Sequence, residues 1–133
     1  MQLEQPPHID RSFSKKERLN SKKLIEELFK NGSSFYLDVV QFKVLAREKL
    51  ENNQVLISVP KKHHKKAVSR NLIKRRIREA YRLNKHRTDP SSHYLIGIIY
   101  LSKEILTYHQ IEKKLITFLS RLSGKSLDKH RSK

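Results

Sequence analysis

A basic segment, residues 61–87, contains the side chains with the clearest chemical potential in this sequence. It reads KKHHKKAVSRNLIKRRIREAYRLNKHR, in which twelve residues are Lys or Arg and one, Glu79, is acidic. Guanidinium and ammonium groups at this density suit phosphate binding, because each offers several charged hydrogen-bond donors. The segment therefore predicts a surface that binds a polyanion.

The spacing within this segment predicts a two-sided helix. At about 100° per residue, one side carries Asn71, Lys74, Arg75, Arg78 and Arg82, and the opposite side carries Ile73, Ile77, Ala80 and Asn84. An apolar stripe opposite a cationic array is typical of a helix that packs on a core and presents its outer face to phosphates. We interpret Glu79 as a carboxylate that orients neighbouring arginines through i, i+3 or i, i+4 pairs.

The sequence shows no catalytic site and no metal site. Its three glycines, at positions 32, 97 and 124, stand alone, and it contains neither an HExxH motif nor a cysteine. Acidic residues are scattered, whereas a two-metal nuclease needs paired carboxylates to hold its ions. His63 and His64 lie among four lysines, and we interpret them as part of a solvated basic loop in preference to an acid–base pair.

Composition favours one nucleic-acid-binding domain. The 133-residue chain has a formal net charge of +17 and no cysteine, so disulfides are excluded and a soluble, cytoplasmic protein is expected. No apolar run reaches the roughly 18 residues of a membrane span, and the start, MQLEQPPHID, lacks the regions of a signal peptide. An anionic lipid surface is a weaker alternative, because the apolar stripe behind the arginines is short.

Changes in hydrophobic period predict the elements that position the basic helix. They give the order α-β-β-β-α-β-α, an α+β fold in which helices pack on a single sheet. The predicted ranges are a helix at 18–30, strands at 34–37, 39–47 and 54–59, the basic helix, a strand at 94–101 and a helix at 108–122. The polar residues 48–53 predict a hairpin, and the apolar run YLIGIIYL predicts a central strand covered on both faces.

Residues 13–122 are expected to form the single folded domain. The proline-containing residues 1–12 predict a disordered leader, and the basic residues 123–133 predict a flexible tail. Four aromatic residues could stack on unpaired bases, although aromatics at helix or strand spacing belong more often to a core. They are Phe29, Phe35, Tyr36 and Phe42.

The segment Ala67–Ala80, AVSRNLIKRRIREA, closely resembles the signature AVxRNxxKRxxRE of the bacterial ribonuclease P protein subunit. The resemblance extends over residues 13–122, through the opening helix, the strand VLISVPKK before the signature, and the final strand and helix. It implies the α-β-β-β-α-β-α order with a left-handed βαβ crossover. It also implies a ribonucleoprotein endoribonuclease in which a large RNA and its bound Mg²⁺ carry the chemistry, and the protein itself has no cofactor.

In this family the protein assists removal of the 5′ leader from precursor tRNA. The implied partners are therefore the catalytic RNA and precursor tRNA, with no membrane and no obligate protein partner. Two alternatives remain open on the residues alone. One is a structural RNA-binding protein of ribosomal type, and the other is a helix-turn-helix DNA regulator. The regulator fits worst, because strands flank the basic helix where a second compact helix would be needed.

The resemblance also assigns candidate residues. Positions matching the signature's RNA-binding residues are Arg70, Asn71, Lys74, Arg75 and Arg78, and charge adds Arg82, Lys61, Lys62, Lys65 and Lys66. A cleft between the arginine-rich helix and the sheet is implied to hold the single-stranded leader, with Lys43, Phe29 and Ile25 at its matching positions. The chain departs from the family at Ile25, which cannot stack as an aromatic does. It departs again at His63–Lys66, which is one residue longer and lacks glycine.

Overall fold

The computed structural model describes residues 12–123, and its elements follow the predicted order. They are α1 (Lys22–Asn31), β1 (Ser33–Leu37), β2 (Val40–Ala46), β3 (Gln54–Ser58), α2 (Ala67–Asn84), β4 (Tyr94–Tyr100) and α3 (Tyr108–Leu122). Two single turns of 3-10 helix, Lys15–Glu17 and Lys85–Arg87, precede α1 and follow α2. The expected leader and tail lie almost entirely outside the described residues. None of the described helices is long and apolar enough to cross a membrane.

Helix α1 begins four residues later than predicted, because Ser21 caps it. The Ser21 side chain accepts a hydrogen bond from the Leu24 amide, which satisfies one of the free N–H groups of the first turn. At the other end Gly32 passes so close to the helix that a Cβ atom there would lie 2.5 Å from the Leu28 carbonyl oxygen. The missing side chain thus allows the chain to turn directly from α1 into β1.

The four strands form one mixed sheet in the order β1-β2-β4-β3. The predicted hairpin between β2 and β3 is wrong, because β4 lies between them, antiparallel to β2 and parallel to β3. Burial explains this arrangement: residues 95–100 are all buried, so β4 gains most from an interior position, and the less buried β3 takes the edge. The prediction of a central strand covered on both faces is confirmed.

The connection from β3 through α2 to β4 joins two neighbouring parallel strands. Such a crossover is the βαβ unit that the family resemblance implied, and it carries the basic helix from the edge of the sheet back to its centre. Its left-handedness stays a prediction.

The two faces of the sheet pack against different helices. Phe42 and Val44 of β2 share a core with Ile73 and Ile77 of α2 and with residues of α3. Phe42 stacks on Phe118 of α3, with ring centroids 4.2 Å apart. The opposite face packs on α1 through Leu19, Leu28 and Leu95. A Cβ at Gly97 would lie 3.3 Å from Leu28, so this glycine lets α1 approach the sheet closely.

Candidate nucleic-acid interface

The outer face of α2 carries the exposed cations that the helical period predicted. Asn71, Arg75 and Arg78 are exposed and Lys74 is half-buried, while the opposite stripe is buried in the core. Among residues 12–123, no hydrogen bond or ion pair engages the side chains of these four residues. Their donors are therefore available to an external ligand such as phosphate.

Arg70 lies on the same helix but is engaged within the protein. Its Nη1 atom donates to the carbonyl oxygens of His64 and Lys65, at 2.9 and 2.8 Å. These bonds fold the turn that precedes α2 back onto the helix. Lys61, Lys62, Lys65 and Lys66 are all exposed in this turn, which places them beside the first residues of α2.

The interpretation of His64 as a solvated residue is wrong. Its side chain is buried, its ring lies 5.9 Å from that of Tyr100, and its Nε2 atom donates to the Ser102 carbonyl oxygen at 2.7 Å. A carbonyl can only accept, which fixes the proton on Nε2. His64 thereby fastens the basic turn to the end of β4, a contact across 38 residues that its lysine-rich neighbourhood concealed.

Glu79 orients one arginine, as predicted. Arg82 donates through Nε to Glu79 at 3.2 Å and forms a second bond through Nη2, so the pair is bidentate at i, i+3. These hydrogen bonds hold the pKa of the Glu79 carboxyl below its usual range. Arg82 is consequently committed to a neighbour, in contrast to Arg75 and Arg78.

A groove of about 500 Å³ lies between the basic helix and β3. Residues 18 and 19 partly cover the outer edge of β3, where the Leu19 amide donates to the Val55 carbonyl oxygen at 2.9 Å. Lys74 and Arg78 line one side, residues 55–57 line the other, and Phe13 and Arg18 close one end. The Arg18 guanidinium lies 5.4 Å from the centre of the Phe13 ring. Cations beside an aromatic ring suit an extended nucleic-acid strand. Sequence reasoning missed Arg18 because it was expected inside the first helix.

The three predicted cleft residues lie elsewhere, on the face of the sheet that carries α1. Lys43 alternates with Phe42 and Val44, so it points away from the core shared with α2 and α3. Its Nζ atom donates to Ser34 Oγ at 2.7 Å and lies 5.6 Å from the centre of the Phe29 ring. The structure thus brings Lys43 and Phe29 together, beside α1 and not beside α2 as the implied cleft requires.

Exposure divides the aromatic residues into two groups. Phe29 and Tyr36 are 43% and 59% exposed, whereas Phe42 is buried and Phe35 packs against the core. Tyr36 shares a face with Lys43, because its register partner is Gln41, which lies two residues from Lys43 on β2. Ile25 packs in part against the smaller core under α1. We name Phe29, Ser34, Tyr36 and Lys43 the α1-side surface.

No three His, Asp or Glu side chains cluster as a metal site would within the part of the chain that the structure describes. The outer face of α2 and the α1-side surface offer charge neutralisation, hydrogen bonding to phosphate and stacking on bases. Each of these is a means of binding a nucleic acid.

Comparison with known proteins gives one consistent answer. The Ribonuclease P family model matches residues 13–123. The ribonuclease P protein component of Porphyromonas gingivalis is 32% identical over 119 residues, which cover 84% of this chain and 87% of the relative. The corresponding protein of Picosynechococcus is 31% identical over 99 residues, covering 74% and 84% of the two chains.

Solved structures resemble the fold as well. The ribonuclease P protein of Thermotoga maritima superposes with a TM-score of 0.69 at 26% identity, over 81% of this chain and 99% of that one. A Staphylococcus aureus ribonuclease P protein gives the same TM-score of 0.69 at 23% identity, over 81% and 98% of the chains. The same mixed sheet and helices therefore occur in both proteins.

Proposed function

The chain belongs to the ribonuclease P protein family, and from this membership we propose that it binds the catalytic RNA of ribonuclease P and the 5′ leader of precursor tRNA. As a protein component of this endoribonuclease, it assists removal of the leader during tRNA maturation. The observation that carries the proposal is the outer face of α2, where Asn71, Lys74, Arg75 and Arg78 have no partners among the described residues.

In this proposal the outer face of α2 and the α1-side surface bind two different ligands. The outer face of α2 and the lysines of the preceding turn bind the phosphates of the catalytic RNA. The α1-side surface binds the single-stranded leader, with Lys43 on a phosphate and the exposed rings of Phe29 and Tyr36 stacked on bases. This division is supported by the sheet itself, which separates the two sets of residues.

In this proposal the RNA and its Mg²⁺ perform the chemistry, and the protein contributes electrostatics. Two RNA molecules that dock repel each other through their phosphates, and a protein with a net charge of +17 lowers that repulsion. The protein is then needed most where Mg²⁺ is scarce, because Mg²⁺ can screen the same charges.

Reconstitution tests the proposal directly. Protein alone should leave precursor tRNA intact at low Mg²⁺, and protein with a bacterial ribonuclease P RNA should promote cleavage at the mature 5′ end. Efficient cleavage by protein alone would place a catalytic site in the protein and refute this division of labour. Failure to stimulate any such RNA would favour a structural RNA-binding protein of ribosomal type.

Binding of the ribonuclease P RNA is expected to weaken steeply with salt. Each phosphate contact releases condensed counterions, so the logarithm of the association constant should fall with the logarithm of salt concentration, with a slope of several units. Filter binding at about 50 to 400 mM KCl measures this slope, on the order of −0.9 per phosphate contact for duplex nucleic acid. A nearly flat dependence would reject phosphate contacts as the source of affinity.

Replacing Lys43 by alanine is expected to weaken binding of precursor tRNA with a long leader by about tenfold, because one charge-assisted hydrogen bond is removed. A substrate with a leader of one nucleotide should be affected far less, since it does not reach the α1-side surface. Holoenzyme affinity for each substrate, measured at one salt concentration, gives the comparison. Phe29→Leu should follow the same pattern, because the substitution removes a stacking platform.

Lys113→Ala is the matched control, because it removes an exposed lysine from α3. Its effect should be small and independent of leader length. A Lys43 effect that is equal for both leader lengths would remove the leader from the α1-side surface. A fall in melting temperature for Phe29→Leu without any leader effect would assign that ring to packing.

A further inference from the structure

A polar cleft lies away from the outer face of α2 and from the α1-side surface. It has a volume of about 490 Å³ and opens between the first 3-10 turn, the loop from β2 to β3, the end of α2 and the loop before β4. Helix α2 has 18 residues, so at about 1.5 Å per residue its end at Asn84 lies roughly 25 Å from the basic turn at its start. The function proposed above does not use the polar cleft.

Hydrogen bonds to backbone groups hold the polar side chains that line the polar cleft. Asn52 Nδ2 donates to the Lys16 carbonyl oxygen at 3.0 Å, and Asn53 Oδ1 accepts from the Tyr94 amide at 2.7 Å. His93 Nδ1 lies 2.9 Å from the Leu50 carbonyl oxygen and so carries a proton, which in the neutral ring leaves Nε2 as an acceptor. Tyr81 is buried, and its burial raises the pKa of the phenol.

Two side chains on the rim of the polar cleft are free to contact a phosphate. Lys16 and His86 are exposed, and no hydrogen bond or ion pair of their side chains occurs among the described residues. Two acids also line the polar cleft. Glu17 pairs with Lys85, whereas Asp89 accepts two hydrogen bonds from Ser91 that lower the pKa of its carboxyl, so Asp89 stays negatively charged and a phosphate must lie away from it. A smaller cleft of about 350 Å³ shares Lys16 and Asn52, and its other charged lining residues are Lys15, Arg18, Lys49 and one acid, Glu51.

We propose that the polar cleft receives an unpaired nucleotide of the catalytic RNA, with its phosphate on Lys16 and His86 and its base inside. The cleft volume falls in the usual range of about 300–1,000 Å³ for small-ligand sites. Asn52 Oδ1 and His93 Nε2 make no hydrogen bond among the described residues and can contact the polar edge of a base, and the Pro90 ring offers an apolar wall. The cations of the adjoining smaller cleft would carry the neighbouring phosphates. This site rests on the proposed function.

Site-directed crosslinking tests the site on the reconstituted holoenzyme. The chain has no cysteine, so single-cysteine variants accept a photoreactive label at one chosen position. His86→Cys reports on the polar cleft, Arg75→Cys on the outer face of α2, and Ser120→Cys on the exposed side of α3. With a bacterial ribonuclease P RNA transcript, we expect His86→Cys to crosslink to a short unpaired stretch that Arg75→Cys does not reach.

Affinity provides the second measurement. The double variant Lys16→Ala/His86→Ala should bind the transcript about tenfold more weakly, as expected when one charge-assisted hydrogen bond is removed. His109→Ala/Lys113→Ala is the matched control, since it removes an exposed histidine and an exposed lysine from α3. Removing the base at the crosslinked nucleotide should weaken binding of the wild-type protein. The same removal should cause little further loss of affinity in the Lys16→Ala/His86→Ala variant.

Two outcomes would overturn the site. If His86→Cys crosslinks no better than Ser120→Cys while Arg75→Cys still crosslinks and the wild-type protein stimulates cleavage, the polar cleft does not bind RNA and the proposed function stands. Equal reductions in affinity for the two double variants, with no effect of base removal, would show that Lys16 and His86 contribute only general surface charge and form no nucleotide site. If Arg75→Cys also fails to crosslink and the wild-type protein stimulates no ribonuclease P RNA, the proposed function itself fails.

Discussion

Replacing Arg75 and Arg78 together by alanine is expected to weaken binding of the ribonuclease P RNA by about 1–3 kcal/mol for each charge-assisted hydrogen bond removed. Both side chains are exposed on α2 and neither has a partner among the described residues, so their removal should leave the fold intact. The affinity should therefore fall by one to several orders of magnitude, while the free energy of unfolding stays nearly constant. Filter binding at a single salt concentration and urea unfolding measure the two quantities.

Arg76 is the matched control on the same helix. Its Nη1 atom donates to the Leu106 carbonyl oxygen at 2.6 Å, which ties α2 to the loop before α3. Arg76→Ala should therefore lower stability more than it lowers RNA affinity, the opposite of the Arg75/Arg78 pattern. Lysine at positions 75 and 78 should restore part of the affinity, because it keeps the charge without the planar fork of donors. Identical profiles for Arg75→Ala and Arg76→Ala would contradict the assignment of the outer face.

Local periodicity predicted the parts of this molecule that depend on local chemistry. The two-sided pattern of α2 could be predicted because a buried stripe and a charged face follow from the helical repeat alone. The central position of β4 could also be predicted, since an unbroken apolar run is stable only with both faces covered. In both cases the environment of a residue is decided by its neighbours along the chain.

The errors arise where contacts join distant parts of the chain. The polar stretch at 48–53 looks like a hairpin, but only the competition between β3 and β4 for the interior decides which strand pairs with β2. His64 reads as one more cation of a basic loop until Ser102 and Tyr100 come near it. The position of Lys43 follows the same logic, because strand alternation gives it a face and only the tertiary fold shows that α1 lies there.

The candidate binding residues also differ in whether local sequence or distant contacts determine their environment. Arg75 and Arg78 could be predicted from charge and spacing, and Arg70 could be named by its place in the signature. Its two bonds to the turn carbonyls, which keep the basic turn on the helix, leave no trace in the sequence. The polar cleft at the other end of α2 is assembled from four separate segments, so no local pattern could have indicated it.

Glu17 and Lys85, which are 68 residues apart in sequence, form another long-range contact. Removing this ion pair should lower the free energy of unfolding more than any other substitution proposed above. Lys85 Nζ lies 2.5 Å from Glu17 Oε1, the two side chains are only 12% and 9% exposed, and the same ammonium donates to the Ser12 carbonyl oxygen. Glu17→Ala removes the carboxylate that pairs with this nearly buried ammonium. We expect the free energy of unfolding to fall by about 3–5 kcal/mol, measured by urea unfolding.

The loss of stability for each substitution depends on which hydrogen bonds the remaining charged partner keeps. Glu17 also accepts hydrogen bonds from the Ser14 amide and hydroxyl, at 3.2 and 3.1 Å, so Lys85→Ala leaves a carboxylate that keeps two donors. Lys85→Ala should therefore cost less than Glu17→Ala. Replacing both residues by apolar ones of similar size, Glu17→Leu with Lys85→Met, should recover much of the stability, because no buried charge then lacks a partner.

The same pair connects stability to RNA binding. It holds the first 3-10 turn against the end of α2, and this turn carries Lys15, Lys16 and, just beyond it, Arg18. Glu17→Ala should consequently loosen the polar cleft and the end of the groove beside β3, while Arg75 and Arg78 keep their places on α2. RNA crosslinking from position 86 should then weaken more than crosslinking from position 75. A Glu17→Ala protein that unfolds at the wild-type urea concentration would show that the ion pair contributes nothing to the fold.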